Sequence, residues 1–364
     1  MKHNILITGV SGYLGSVLCA ELSQYHNVTG LYRRSPSARQ RHASPGVVWE
    51  KGELADIDCI ELIFRRSILR GQKIDYVIHF AAYTDYNEKW QDEYCTTNVI
   101  GTRNIIETAS RAGVKRILFA GSIAALEPLP RGQVLTEKSP AGGSVAYSRS
   151  KAIGEKMLIE NSHRVPVAVL RIGGVFTDWC ELPPLFSLIN MWSQPFTGCM
   201  IPGRGFSGFP YIHRKDLVRA VTRVIEKNES LEQFDTFFAS HNGCTYQKDL
   251  FPVIRSYCNE HFSIKPLNVP RFFAKMALHG KYIFNTIRKK PTYERAWMIK
   301  YVDRPLVVDT GYTRNKLDWE PDPDWHILKR LPVLMNNFNK NRQAWYNRNV
   351  LRNDQKYEYE PDCP

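Results

Sequence analysis

Tyr147 and Lys151 stand four residues apart in "SVAYSRSKAIGEK", residues 144–156. In a helix that spacing puts them on one face, one turn apart. An ammonium beside a phenol stabilises phenolate. The phenol's pKa then falls toward neutrality, and the group can take or give a proton. The same pair is also common on solvated helix faces. Its meaning depends on the elements that position it.

The chain begins with a short apolar run in which Ile5, Leu6 and Ile7 are consecutive. That pattern suits a strand covered on both faces, as in a parallel sheet. Gly9, Gly12 and Gly15 follow as G-x-x-G-x-x-G, and Leu14, Val17, Leu18 and Leu22 then recur at helical spacing. Strand, glycine turn and helix in this order are the context of a dinucleotide site. Gly9 permits the tight turn, Gly12 lets backbone approach a pyrophosphate, and Gly15 lets the helix close on the sheet. The helix N-terminus then faces the phosphates. A mere tight turn is the competing explanation, and the flanking elements argue against it.

The next strand reads "NVTGLYRRS". An NAD site would place an acid about 20 residues past the glycines, on the ribose 2′-hydroxyl. Tyr32, Arg33 and Arg34 occupy that neighbourhood instead. Two guanidiniums without a carboxylate suit a 2′-phosphate, so NADP(H) is expected, with NAD left open. The alternative is that "RRSPSARQRH" is a solvated basic loop.

Strand and helix patterns continue to alternate through "GVVWEKGEL", "ADIDCIELIFRRSI", "KIDYVIHFAAY", "TTNVIGTRNIIETASRAG" and "VKRILFAGS". This order predicts an α/β fold with a doubly wound parallel sheet (Rossmann) and a smaller C-terminal substrate domain. Residues 1–175 would be the NAD(P)-binding part. Residues 176–340 would be mainly substrate domain, interleaved with the last sheet strands, and 341–364 a polar tail. Ligands in such sheets lie beyond the carboxyl ends of the strands, where Ser122, Ala81 and Ala82 fall.

"TGVSGYLG", "HFAAY", "NVIGTRN", "FAGSIAAL", "TEKSP" and "YSRSK" occur in this order. Together they resemble the extended short-chain dehydrogenase/reductases, the NAD(P)-dependent epimerase/dehydratase family, over about residues 1–225. "TRNKLDWEP" is a later echo. The resemblance implies that Tyr147 is the acid/base. It implies that Lys151 tunes the phenol and holds the nicotinamide ribose, and that Ser122 bonds the substrate oxygen. Asn98 would support a proton-relay water or fix its helix. The cofactor would be held by Gly9, Ser11, Gly12, Tyr13, Leu14, Gly15, Arg33, Arg34, Glu53, Leu54, Ala81, Ala82, Tyr147 and Lys151. There are departures from the pattern. Ile172 and Gly173 follow Arg171 where a proline is common. Asp178-Trp179 replaces Gly-Pro, and Ala124 stands where a second small polar residue often sits.

Composition is that of an ordinary globular chain: 364 residues, 43% hydrophobic, 23% charged. The formal charge of +13 favours anionic partners without choosing among them. Eight scattered cysteines, with no C-x-x-C, read as reduced thiols and indicate neither a zinc site nor a disulfide scaffold; no metal is expected. No signal-peptide pattern and no run of about 18 apolar residues occurs, so a cytoplasmic protein is expected.

The C-terminal part carries less information. His213 and Asp216 in "YIHRKDLVRAV" read as a strand-to-helix junction, with Asp216 as a cap. Residues 265–304 are basic and aromatic. They suit a solvated lid helix, with contact to an anionic membrane surface as the open alternative. "GSIAALEP" and this segment resemble the 3β-hydroxysteroid dehydrogenase branch, which implies a hydrophobic alcohol or ketone. The competing substrate is a nucleotide sugar, handled by an epimerase or dehydratase with tightly held NAD; Arg204, Arg214 and Arg304 are the candidates for its diphosphate. The main expectation is hydride transfer at a hydroxyl or keto carbon, by an enzyme for which a homodimer is left open. A non-catalytic NADP-sensing or RNA-binding scaffold is the reading from another class. The retained Ser122, Tyr147 and Lys151 argue against it, and no nucleic-acid partner is expected.

Overall fold

The computed structural model describes residues 2–85, 88–130, 132–258, 265–287 and 293–349. Its first half alternates strand and helix: β1 (Asn4–Thr8), α1 (Tyr13–Leu22), β2 (Asn27–Tyr32), α2 (Ala38–Ala43), β3 (Val48–Lys51), α3 (Ile57–Leu69), β4 (Tyr76–His79), α4 (Gly101–Ala112), β5 (Arg116–Ser122), α5 (Ala146–Asn161) and β6 (Val167–Ile172). The sheet is completed from far along the chain. After β7 (Gly174–Phe176), α6 (Pro183–Trp192), β8 (Met200–Pro202), β9 (Gly208–Phe209), β10 (Tyr211–His213) and α7 (Arg214–Glu226), strand β11 (Phe234–Ala239) pairs with β6. The order is β11-β6-β5-β4-β1-β2-β3, and every pairing is parallel. The chain reverses its direction of winding between β1 and β4, and a crevice opens there at the strands' carboxyl ends.

The consecutive apolar residues of β1 have the burial that their pattern implies. Ile5 and Ile7 join a core with α1 and α7, including Leu18 and Val221. Leu6 faces the opposite core with Val77, Ile117 and the α3 and α4 residues Ile63 and Ile105. A third core lies apart from the sheet, around Phe176, Trp192, Tyr211, Phe251, Phe338 and Trp345. Around it lie β12 (Thr245–Tyr246), α8 (Gln247–Ser256), β13 (Leu267–Val269), α9 (Arg271–Ile287), α11 (Ile327–Lys340) and α12 (Arg342–Asn349), near α6 and β8 to β10, and α6, α8, α11 and α12 supply most of its side chains, while α10 (Gly311–Leu317) puts Leu317 into the first core beside the sheet.

Several local expectations change. Residues 342–349 are not tail but helix α12, because Trp345 is fully buried against Phe338. Residues 350–364 lie outside the described residues. The basic stretch after β2 contains α2, started by a reciprocal Ser37–Gln40 capping box. The helix through "TTNVIGTRN" begins as a π-helical segment, Tyr94–Ile100, a form that often marks functional sites. Asp216 does not cap α7. His213 accepts from the Lys215 N–H at 3.4 Å, while Asp216 in the first turn accepts from Asp322 N. No described helix is long and apolar enough to cross a membrane.

Candidate active site

The glycine turn is a cradle that no side chain could share. Gly9 has φ +77°, and a Cβ there would lie 2.7 Å from the Ala81 nitrogen across the crevice. A Cβ at Gly15 would lie 2.2 Å from the Gly9 carbonyl. No side chain caps α1, so its first-turn N–H groups, from Tyr13 onward, are left for an anion. Thr8 Oγ1 accepts from Ala81 N at 3.1 Å and contacts the buried His79 ring at 2.8 Å. These bonds clamp the two sides of the crevice together. The residues present therefore fit a dinucleotide. Gly9, Ser11, Gly12, Tyr13, Leu14 and Gly15 would face its phosphates and Ala81–Ala82 would be the opposite wall.

Tyr147 and Lys151 share α5 one turn apart. Gly154, where a Cβ would meet the Phe119 ring at 2.8 Å, lets this helix sit close on β5. Lys151 is buried, donates to the Ala120 carbonyl at 2.8 Å and lies 5.0 Å over Phe119. Ser122, at the end of β5, accepts from Ala124 N at 3.2 Å and lines the same cavity as the Tyr147 phenol.

Charge in this corner does not run as the spacing suggests. Burial raises the Tyr147 pKa, and only the Ser122 hydroxyl works against it. Lys151 is pushed down to about 8 by burial, with the Glu155 carboxylate opposing. The expected lowering of the phenol is thus absent in the protein alone. The low-dielectric crevice penalises phenolate and ammonium alike. As it stands, the phenol keeps its proton.

Ser122, Tyr147 and Ala124 line a cavity of about 1070 Å³. Its wall is mostly apolar, with Leu182, Leu188, Met191, Phe209, Tyr211 and Trp297 among the contributors. Two lining cations are engaged by neighbours. Lys281 pairs with Glu294 at 2.8 Å, and Arg304 donates to the Pro128 carbonyl at 3.2 Å. Arg204 does not line the cavity, and Arg214 is buried 3.8 Å from Glu181 and 5.3 Å over the Tyr13 ring.

A family described as "NAD dependent epimerase/dehydratase family" matches residues 5–238. This chain belongs to that family. Among curated relatives, a UDP-glucose 4-epimerase of Yersinia enterocolitica is 33% identical over 165 residues, 43% of this chain and 47% of that protein. The chain thus spans about half the length of the epimerases it matches. A sterol demethylase protein B of Methylococcus capsulatus is 26% identical over 236 residues, 63% of this chain and 68% of that protein. A solved UDP-glucose 4-epimerase from Thermotoga maritima shares the fold, with TM-score 0.68 and 19% identity over 93% of this chain and 99% of that one.

The remaining residues expected in this epimerase/dehydratase chain divide into binding wall and support. Asn98 is support. Its amide accepts from Tyr83 N at 2.7 Å and donates to Tyr83 O at 3.0 Å and Ser150 Oγ at 2.9 Å. It ties the loop after β4 to α5. Leu54 is buried against Gly101, and its carbonyl accepts from Asn104 at 2.8 Å. Arg33 and Arg34 are exposed, and Glu53 comes to 4.0 Å of the Arg33 guanidinium. A carboxylate is therefore near this corner after all, supplied by the loop after β3, where the β2 sequence could not show it.

Two features lie outside the sequence expectations. Arg171 on β6 is buried and pairs with Glu155 of α5 at 2.8 Å, and it also donates to the carbonyls of Glu137 and Ser139. The arginine stood out in "VLRIGG", but its partner four residues past Lys151 carried no separate signal. Where Asp178-Trp179 replaces Gly-Pro, the chain turns left-handed at Cys180 and Glu181 (φ 75° and 51°). Asp178 is held there by Arg330, and Asn337 donates to its carbonyl at 2.9 Å.

The Lys151 value carries a prediction. Below about 8 the group is an ammonium able to donate to ribose hydroxyls; above it, the amine has lost its charge. Cofactor affinity of the free protein should weaken as pH rises through about 8, measured by nucleotide fluorescence titration. Affinity that stays flat from pH 6.5 to 9.5 would leave Lys151 no such role.

Proposed function

We propose that this protein is a nicotinamide-dependent oxidoreductase that interconverts a hydroxyl and a keto group on a lipophilic substrate. The observation that carries this is the mostly apolar cavity whose lining includes Ser122 and Tyr147. The bound dinucleotide would supply or accept the hydride. The protein's own part is to place the reacting oxygen and manage its proton. Ser122 orients the oxygen, and the Tyr147 phenol gives its proton as a carbonyl becomes a hydroxyl. A screen of hydrophobic ketones followed at the nicotinamide absorbance tests this; a clean failure across such a panel would sink it.

Nucleotide-sugar epimerisation or dehydration is the second reading, favoured by the similarity to UDP-glucose 4-epimerases. Against it stand the lining cations, already paired or bonded, and Ala124 in place of a polar residue that would meet a sugar hydroxyl. Mass spectrometry of the denatured protein separates the two. Tightly retained NAD with a UDP- or dTDP-sugar supports epimerisation, and a readily exchanged cofactor supports net oxidoreduction.

For the cofactor we infer NADP(H), from Arg33 and Arg34 beside a Tyr32 that offers no carboxylate. Arg33→Ala should weaken NADP(H) binding by about 1.5–3 kcal/mol and leave NAD(H) nearly unchanged. Glu53, 4.0 Å from Arg33, makes this a real test. If NAD(H) binds wild type as tightly as NADP(H), and Arg33→Ala changes neither, the assignment is wrong.

A further inference from the structure

Among its described side chains, helix α9 has two apolar faces, and the fold uses only one. Ala274, Ala277, Leu278 and Lys281 line the cavity. At 100° per residue, the side opposite them carries Phe272, Met276 and Ile283 at positions i, i+4 and i+11. These are 68%, 58% and 59% exposed, and Phe273 beside them is 59% exposed. A roof helix needs apolar residues inward, and nothing about roofing a cavity calls for Phe, Met and Ile outward. Leu267 in β13, just before α9, is also 55% exposed.

The net charge of the sequence segment that carries this stripe points to its occupant. Residues 265–304 contain ten lysines and arginines against two acids, Glu294 and Asp303. Eight of the chain's +13 charges therefore come from these 40 residues. An apolar stripe within such a basic segment matches the acyl boundary of an anionic bilayer, with apolar side chains inserted and cations among the headgroups.

We propose that α9 docks this protein on an anionic phospholipid surface by its Phe272–Met276–Ile283 face. Its opposite face roofs the cavity, so the docked protein presents the cavity's roof to the membrane, where a lipophilic alcohol or ketone is concentrated. The docking stands on α9 alone; the delivery of substrate rests on the function proposed above.

The test is co-sedimentation of the full chain with vesicles of phosphatidylcholine, and of phosphatidylcholine mixed with phosphatidylglycerol. Wild type should pellet with the anionic vesicles, less with the neutral ones, and be released by high salt. The variant Phe272→Asp/Met276→Asp/Ile283→Asp should bind roughly tenfold less or worse. It should retain cofactor binding, and also activity on a small water-soluble ketone, since none of the three side chains lines the cavity. Docking is overturned if wild type stays in the supernatant with anionic vesicles, or if the triple variant pellets as well as wild type. It is also overturned if the variant turns a dimer into a monomer while neither form binds vesicles, since the face would then join two copies of this chain. Vesicle binding without turnover of any ketone would keep the docking and reject the oxidoreductase reading.

Discussion

Tyr147→Phe lowers turnover by roughly a hundredfold or more while the fold and cofactor affinity remain, the scale of a lost general acid. The phenol lines the cavity beside Ser122, so its removal takes away a proton donor and leaves the wall in place. Phe fills the same volume, and the site loses one oxygen. Ser122→Ala should cost less, because the backbone N–H of Ala124 that Ser122 now accepts from is freed toward the cavity and water can replace one hydrogen bond. Lys151→Ala should reduce turnover and also weaken cofactor binding. It further leaves the Ala120 carbonyl without its 2.8 Å donor, so its thermal stability must be checked alongside. The informative result is the ordering on one identified substrate. Full activity in Tyr147→Phe would make the tyrosine a wall residue and place the proton transfer elsewhere.

The elements that position this tyrosine were legible because each depends on local pattern. Consecutive Ile5-Leu6-Ile7 implies cover on both faces, and the two cores on either side of β1 supply it. Gly9 and Gly15 were readable as contacts that exclude a side chain, and the backbone lies where those contacts require. Charge was not legible in the same way. A spacing of four predicts that Tyr147 and Lys151 are neighbours, but it is silent on the dielectric around them, and burial sets the direction of both shifts. Asn98 was visible as a motif residue, yet its choice between a water relay and a brace depended on Tyr83 and Ser150, 15 and 52 residues away. The Glu53 that approaches Arg33 belongs to another loop, and α12 forms because Trp345 finds a core assembled from distant helices. Non-local partners are what a one-dimensional pattern leaves out.

The pair Glu155–Arg171 is such a partnership, and Glu155→Leu should destabilise the protein by about 3–5 kcal/mol, the usual result of stripping one member from a buried ion pair. Both groups are buried, and Arg171 would keep only the carbonyls of Glu137 and Ser139 against an uncompensated charge. Replacing both, as Glu155→Leu/Arg171→Leu, should recover much of that loss, since two apolar side chains carry no desolvation penalty. Urea midpoints of the wild type, the two singles and the double close the cycle. A double variant as unstable as the sum of the singles would mean that packing, and not charge, holds α5 on β6. The chemistry should respond as well. Glu155 is the carboxylate that opposes the fall in the Lys151 pKa. In the milder Glu155→Gln, which keeps the side chain's shape, Lys151 should lose its proton below the wild-type value of about 8, and the alkaline loss of cofactor affinity should begin at lower pH. The carboxylate that braces α5 thus keeps the Lys151 ammonium charged to higher pH than burial alone would allow.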